Sequence, residues 1–156
     1  MTAITAALPR RELMLGLTAA LVAAGSAQAA PRGITVYKTP YCGCCKGWIA
    51  HMVRAGFSPK VVEVEDLGPI RARHGVPFAL SSCHTGLIGG YVVEGHVPPK
   101  DVVRLLAERP KALGLTVPGM PIGSPGMEVP GGKTEAYETL LLLDAKGRTK
   151  VFARHG

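Results

Sequence analysis

The chain has 156 residues, enough for one domain with a core of its own and short for two. Its formal charge of +7 raises the question of nucleic acid, but the Lys and Arg residues are scattered singly, without a run of about five to eight basic residues and with few aromatics between them. That excludes a nucleic-acid-binding stripe and leaves a soluble, charged surface.

The first elements in chain order belong to an export signal. Arg10 and Arg11 precede an uncharged run from Leu13 to Ala24, and Ala27-Gln28-Ala29 supplies small residues for cleavage. Charged, apolar and small-residue zones in that order define a signal peptide, and the apolar run falls short of the ~20 residues that span a bilayer. Residues 1–29 are therefore expected to be removed on export, leaving 30–156 as a soluble periplasmic domain with no stable membrane insertion. Loss of Arg10, Arg11 and Glu12 takes the formal charge from +7 to +6. The paired arginines lean toward the twin-arginine route, with Pro9 before them and Leu13 after Glu12 as imperfect matches.

In the remaining chain, Ile34 to Tyr37 reads as a strand stopped by Thr39-Pro40, and Lys46 to Ala55 as a helix closed by Gly56. Lys60 to Val64 reads as a second strand and Leu67 to His74 as a short helix ended by Gly75. Val76-Pro77 leads into a stretch through Phe78-Ala79-Leu80 and Ser82-Cys83-His84 that counts as the next strand, followed by another strand over Gly89 to Val93 and an amphipathic helix from Lys100 to Glu108. The order β-α-β-α-β-β-α predicts an α/β, thioredoxin-like mixed sheet flanked by helices. From Leu115 to Lys133 the composition turns to Gly, Pro, Ser and Met, a loop long enough to suggest function. Tyr137 to Leu143 and Thr149 to Phe152, joined through Ala145-Lys146-Gly147, predict a C-terminal β-hairpin.

All four cysteines, Cys42, Cys44, Cys45 and Cys83, fall after the signal. An even count in an oxidising compartment makes two disulfides the default. Three cysteines within four residues cannot spread staples across a fold, however, and a domain of this size needs none to build a core. Their place at a strand-to-helix turn puts them where unpaired N–H groups and the helix dipole favour thiolates. Cys42 and Cys45 have the C-x-x-C spacing of a redox dithiol and are the catalytic pair if the centre is redox-active. The extra Cys44 would compete for disulfide exchange, whereas clustered sulfurs suit a soft metal, Cu(I) or Zn. Zinc would want a closed tetrahedron of Cys42, Cys44, Cys45 and Cys83, which adjacent Cys44 and Cys45 make awkward.

Copper accounts for more of the sequence, because it also accepts thioethers and imidazoles. Met120 and Met127 lie on the pliant loop, and His84 and His96 near strand ends. Each has a plainer reading. The two Met residues could plug surface gaps, and His84 and His96 could be hydrogen-bonded structural histidines. Met52 is expected in the core with Trp48 and Ile49, and His51, His74 and His155 rank below the other histidines. For Cys83 a place in the site is favoured over an inert buried thiol.

Four motifs in order carry a family resemblance. They are Tyr41-Cys42-Gly43-Cys44-Cys45 with Trp48; Ser82-Cys83-His84-Thr85; Gly90-Tyr91 with Glu94-Gly95-His96-Val97-Pro98; and Gly119-Met120-Pro121 running on to Gly123-Ser124-Pro125-Gly126-Met127-Glu128. From about Ile34 to the terminal hairpin the chain resembles the CopG-like periplasmic copper-resistance proteins, also catalogued as a domain of unknown function. The resemblance implies a thioredoxin-like fold that binds copper at the cysteine cluster and serves copper tolerance, with interconversion of Cu(I) and Cu(II) ahead of export or storage. It implies Cys42, Cys45 and Cys83 as principal thiolates, Cys44 as an additional or bridging one, and His96, Met120 and Met127 as completing ligands. A periplasmic copper exporter or carrier is the implied partner. The competing class is a thiol:disulfide oxidoreductase in which Cys42 attacks and Cys45 resolves.

Overall fold

The computed structural model describes residues 32–156; the signal peptide expected over 1–29, with its Arg10-Arg11 pair, lies outside the described residues. Seven strands form one mixed sheet: β1 (Arg32–Lys38), β2 (Phe57–Glu63), β3 (His84–Ile88), β4 (Tyr91–Glu94), β5 (Gly114–Thr116), β6 (Tyr137–Leu142) and β7 (Thr149–His155). Their spatial order is β2-β1-β3-β4-β5-β6-β7. Three helices, α1 (Gly43–Arg54), α2 (Gly68–Arg73) and α3 (Pro99–Glu108), complete the predicted α/β, thioredoxin-like arrangement.

Connection lengths follow from strand direction. β1 pairs parallel to β2, and β4 parallel to β5, so each pair needs a crossover, supplied by α1 and α3 respectively. β3 and β4 are antiparallel and joined by Gly89-Gly90, both with positive φ (57° and 86°), the backbone that a two-residue hairpin demands and that glycine adopts without steric cost. Pro59 is tolerated within β2 because β2 is an edge strand. α3 starts with Pro99 at its first position and stops at Arg109, in the left-handed region, before Pro110.

The sheet is covered on both faces. Val93 and Leu141 belong to the main core with Ile34, Val36, Trp48 and Met52, together with Val102 and Leu105 of α3. Their strand neighbours Val92 and Leu142 point the other way, into a smaller cluster with Val76. Met52 sits in the core with Trp48 as expected, and Ile49 packs against it; each large apolar side chain so buried contributes about 1.5–3 kcal/mol.

The structure moves several predicted boundaries. α1 begins at Gly43, three residues before the predicted start, so Cys44 and Cys45 occupy its first turn and Cys42 is the N-cap. Leu115 and Thr116, assigned from sequence to the long loop, form β5 with Gly114; three residues buried on both sides carry no alternation to reveal a strand. The terminal hairpin is present as β6 and β7, and its second strand runs on to His155.

Candidate metal centre

Four segments remote in sequence meet at the N-terminus of α1. Cys42 caps the helix in extended conformation and its N–H donates to the Thr39 carbonyl (3.2 Å). No acidic residue stands in the first turn, so the partial positive charge there is unopposed within the helix. Cys42 and Cys45 are joined as a disulfide, with their Cα atoms 5.4 Å apart, while Cys44 and Cys83 are free thiols.

Cys44 bridges the cluster. Its sulfur lies 3.5 Å from that of Cys42 and 3.6 Å from that of Cys83, and Cys45 Sγ also approaches Cys83 Sγ at 3.6 Å. Cys44 and Cys45, adjacent in sequence, both converge on Cys83. The two side chains reach the same third sulfur, and the four sulfurs lie within 4.8 Å of one another.

Cys83 is shared with a second group. His96 Nε2 lies 3.0 Å and His84 Nδ1 3.3 Å from its sulfur, and the three ligand atoms again fall within 4.8 Å. His96 Nδ1 donates to the Pro125 carbonyl at 2.8 Å, since a carbonyl only accepts. That assigns the tautomer and leaves the Nε2 lone pair facing Cys83. Burial, reinforced by the neighbouring Cys44, pushes the Cys83 thiol up to about 12, so sulfur keeps its proton and donates it to His96. His84 is fully buried, its ring 4.4 Å from that of Trp48 and 5.1 Å from that of His96. Its Nε2 has no hydrogen-bond partner among the described residues. Burial lowers the His84 pKa to about 3 and also lowers that of His96, keeping both rings neutral and able to donate lone pairs.

A polar brace that the sequence did not reveal sets the Ser82-Cys83-His84 segment. Glu94 is fully buried and pairs with Arg71 at 2.8 Å; its carboxylate also accepts from Ser82 N–H (2.8 Å) and Thr85 Oγ1 (2.6 Å). Arg71 donates in addition to the Ser82 carbonyl. Burial pushes the Glu94 carboxyl upward, against the opposing pull of Thr85, Arg71 and Ser82. Trp48 Nε1 donates to the Val97 carbonyl at 2.8 Å, tying α1 to the chain that carries His96.

The methionine loop is anchored at two places. Gly119 N–H donates to the Ser81 carbonyl (3.2 Å) and the Gly119 carbonyl accepts from Ser82 Oγ, so Met120 follows a residue held beside Cys83; its own surface is 51% exposed. Met127, half-buried, closes a turn in which its N–H bonds the Ser124 carbonyl and its carbonyl accepts from Gly123 N–H. Gly126, at φ 88°, lies against α1 so closely that an added Cβ would stand 2.5 Å from Trp48 N and 2.7 Å from the Cys44 carbonyl.

Other histidines stay apart from the sulfurs. His51 pairs with Glu128 at 2.5 Å, and His155 with the buried Asp101 at 2.9 Å. His74 lines a surface cavity of 460 Å³ that contains none of the site residues.

Four sulfurs and two neutral imidazoles, one of them with an unpartnered buried nitrogen, fit a soft, thiophilic cation better than Mg²⁺ or Ca²⁺, which want oxygen ligands. Fold and site define a thioredoxin-like protein with a sulfur-rich centre on a helix N-terminus. Residues 80–127 match the family model described as "Protein of unknown function, DUF411". Two solved structures are similar over nearly their whole length. "Copper resistance protein copG- Form 1" is 43% identical, with TM-score 0.74, over 80% of this chain and 98% of that one. "Copper resistance protein copG- Form 2" is 43% identical, with TM-score 0.75, over 81% and 99%. No curated protein matches the chain. The chain belongs to the CopG family of copper-resistance proteins.

Proposed function

We propose that this is an exported, periplasmic copper-binding protein of copper tolerance, with Cu(I) as its cargo. The observation that carries the reading is the convergence of Cys42, Cys44, Cys45 and Cys83 within 4.8 Å at the start of α1. Reduction of the Cys42–Cys45 bond frees two further thiolates, and soft sulfur ligands favour Cu(I). His96, and Met120 and Met127 from the loop, would complete the ligand set. The test is a competition titration of the reduced protein with a chromophoric Cu(I) chelator under anaerobic conditions. Wild type should withdraw copper and Cys42→Ser/Cys45→Ser should not; equal uptake by both would sink the reading.

The disulfide favours a second, compatible activity. Oxidation of the Cys42 and Cys45 thiols to one disulfide releases two electrons and two protons, which balances reduction of two Cu(II) to two Cu(I). The same dithiol would serve a thiol:disulfide oxidoreductase acting on protein disulfides. Loss of the Cu(II) electron-paramagnetic-resonance signal on mixing with reduced protein supports copper turnover, whereas insulin reduction without it supports the oxidoreductase.

A further inference from the structure

We propose that Glu128 is a positioning residue for this centre, acting through Gly126 and Pro125 to hold the His96 imidazole with Nε2 toward Cys83. The copper part of this inference rests on the reading above; the tautomer part does not.

Two contacts by one carboxylate fix the loop. Glu128 Oε2 accepts from the Gly126 N–H at 2.9 Å, and Oε1 meets His51 Nε2 on α1 at 2.5 Å. Glu128 therefore links a helix side chain to the backbone immediately after Pro125. The Pro125 carbonyl accepts a hydrogen bond from the His96 Nδ1–H at 2.8 Å, which leaves Nε2 unprotonated and 3.0 Å from Cys83 Sγ. A metal-binding imidazole is oriented in this way by whatever accepts the proton on its other nitrogen, and loss of such a support typically costs about 10- to 100-fold in affinity. Here the support is a main-chain carbonyl on a loop, so its position depends on what pins the loop.

The second pin is the absence of side chains at Gly47 and Gly126. A Cβ on Gly47 would stand 2.8 Å from Gly126 Cα, so the loop backbone rests directly on the first turns of α1. Glycine inside a helix otherwise costs about 1 kcal/mol relative to alanine. Gly47→Ala therefore improves the helix while pushing the loop off it, opposing a simple stability account of any effect.

The experiment uses nitrogen-15 NMR of the histidine rings in the copper-free protein, alongside Cu(I) competition titration of the reduced form. Wild type is expected to show a single His96 tautomer, protonated at Nδ1. In Glu128→Ala and in Gly47→Ala that signature should give way to a tautomer mixture, with Cu(I) affinity lower by about 10- to 100-fold. Glu128→Gln, which keeps an oxygen for the Gly126 N–H, should retain the wild-type tautomer. A His96 ring protonated at Nε2 in wild type, or an unchanged ring signature in both Glu128→Ala and Gly47→Ala, overturns the assignment. So does wild-type affinity in folded variants whose tautomer has changed. If wild type takes up no copper, the copper reading fails while the ring signals still decide whether Glu128 positions His96.

Discussion

Cys83 Sγ and His96 Nε2 face each other at 3.0 Å with the shared proton on sulfur. The histidine cannot hold it there, because its own proton is committed to the Pro125 carbonyl, and burial holds the thiol up at about 12. A cation binding between the two must displace this proton.

Copper uptake should therefore release protons and strengthen as pH rises. Calorimetric titrations in buffers of different ionisation enthalpy will show the release as a buffer-dependent heat. Uptake independent of pH would mean that Cys83 is not among the ligands.

Removing the cation beside Glu94 should be costly. Arg71→Met leaves the buried carboxylate without its charge partner, a change worth about 3–5 kcal/mol. Urea unfolding should show that loss. Because Arg71 also holds the Ser82 carbonyl, copper affinity should fall in the variant that remains folded.

Acid should destabilise the domain through His84. In the unfolded chain this ring takes up a proton near its ordinary value of 6.5, whereas the folded protein, by burial, admits one only near 3. Between those values the unfolded state binds more protons, so stability falls as the pH is lowered, by about 1.4 kcal/mol per unit for one such group. His96, also lowered by burial, acts in the same direction. Urea midpoints across that window will measure the slope, and His84→Gln should flatten it.

Trp48, the single tryptophan of the chain, should report on the site. Its ring lies 4.4 Å from that of His84, close enough for bound Cu(II) to quench its emission. Fluorescence titration should show saturable quenching that Cys42→Ser/Cys45→Ser removes.

Legibility in the sequence followed the range of the interactions. Strand and helix order was readable because β1 and α3 carry ordinary periodicity, and the cysteine cluster because its spacing is local. The start of α1 was not, since Gly43-Cys44-Cys45 has no apolar pattern and Cys42 makes no side-chain cap bond. His84 could be suspected only from its place beside Cys83; what distinguishes it is an unpartnered nitrogen in a buried position, a property of the folded state. The pairs Arg71–Glu94 and His51–Glu128 join residues 23 and 77 positions apart, and no local pattern foretells such partners.

The Cys42–Cys45 bond has one more consequence. A sulfur already spent on another sulfur has no thiolate to lend, so half the cluster is locked while the bond stands. On the function proposed above, filling the site requires two supplies together, copper and reducing equivalents. The protein then works as a coincidence detector, with its copper load recording the redox state of its surroundings as well as the abundance of the metal.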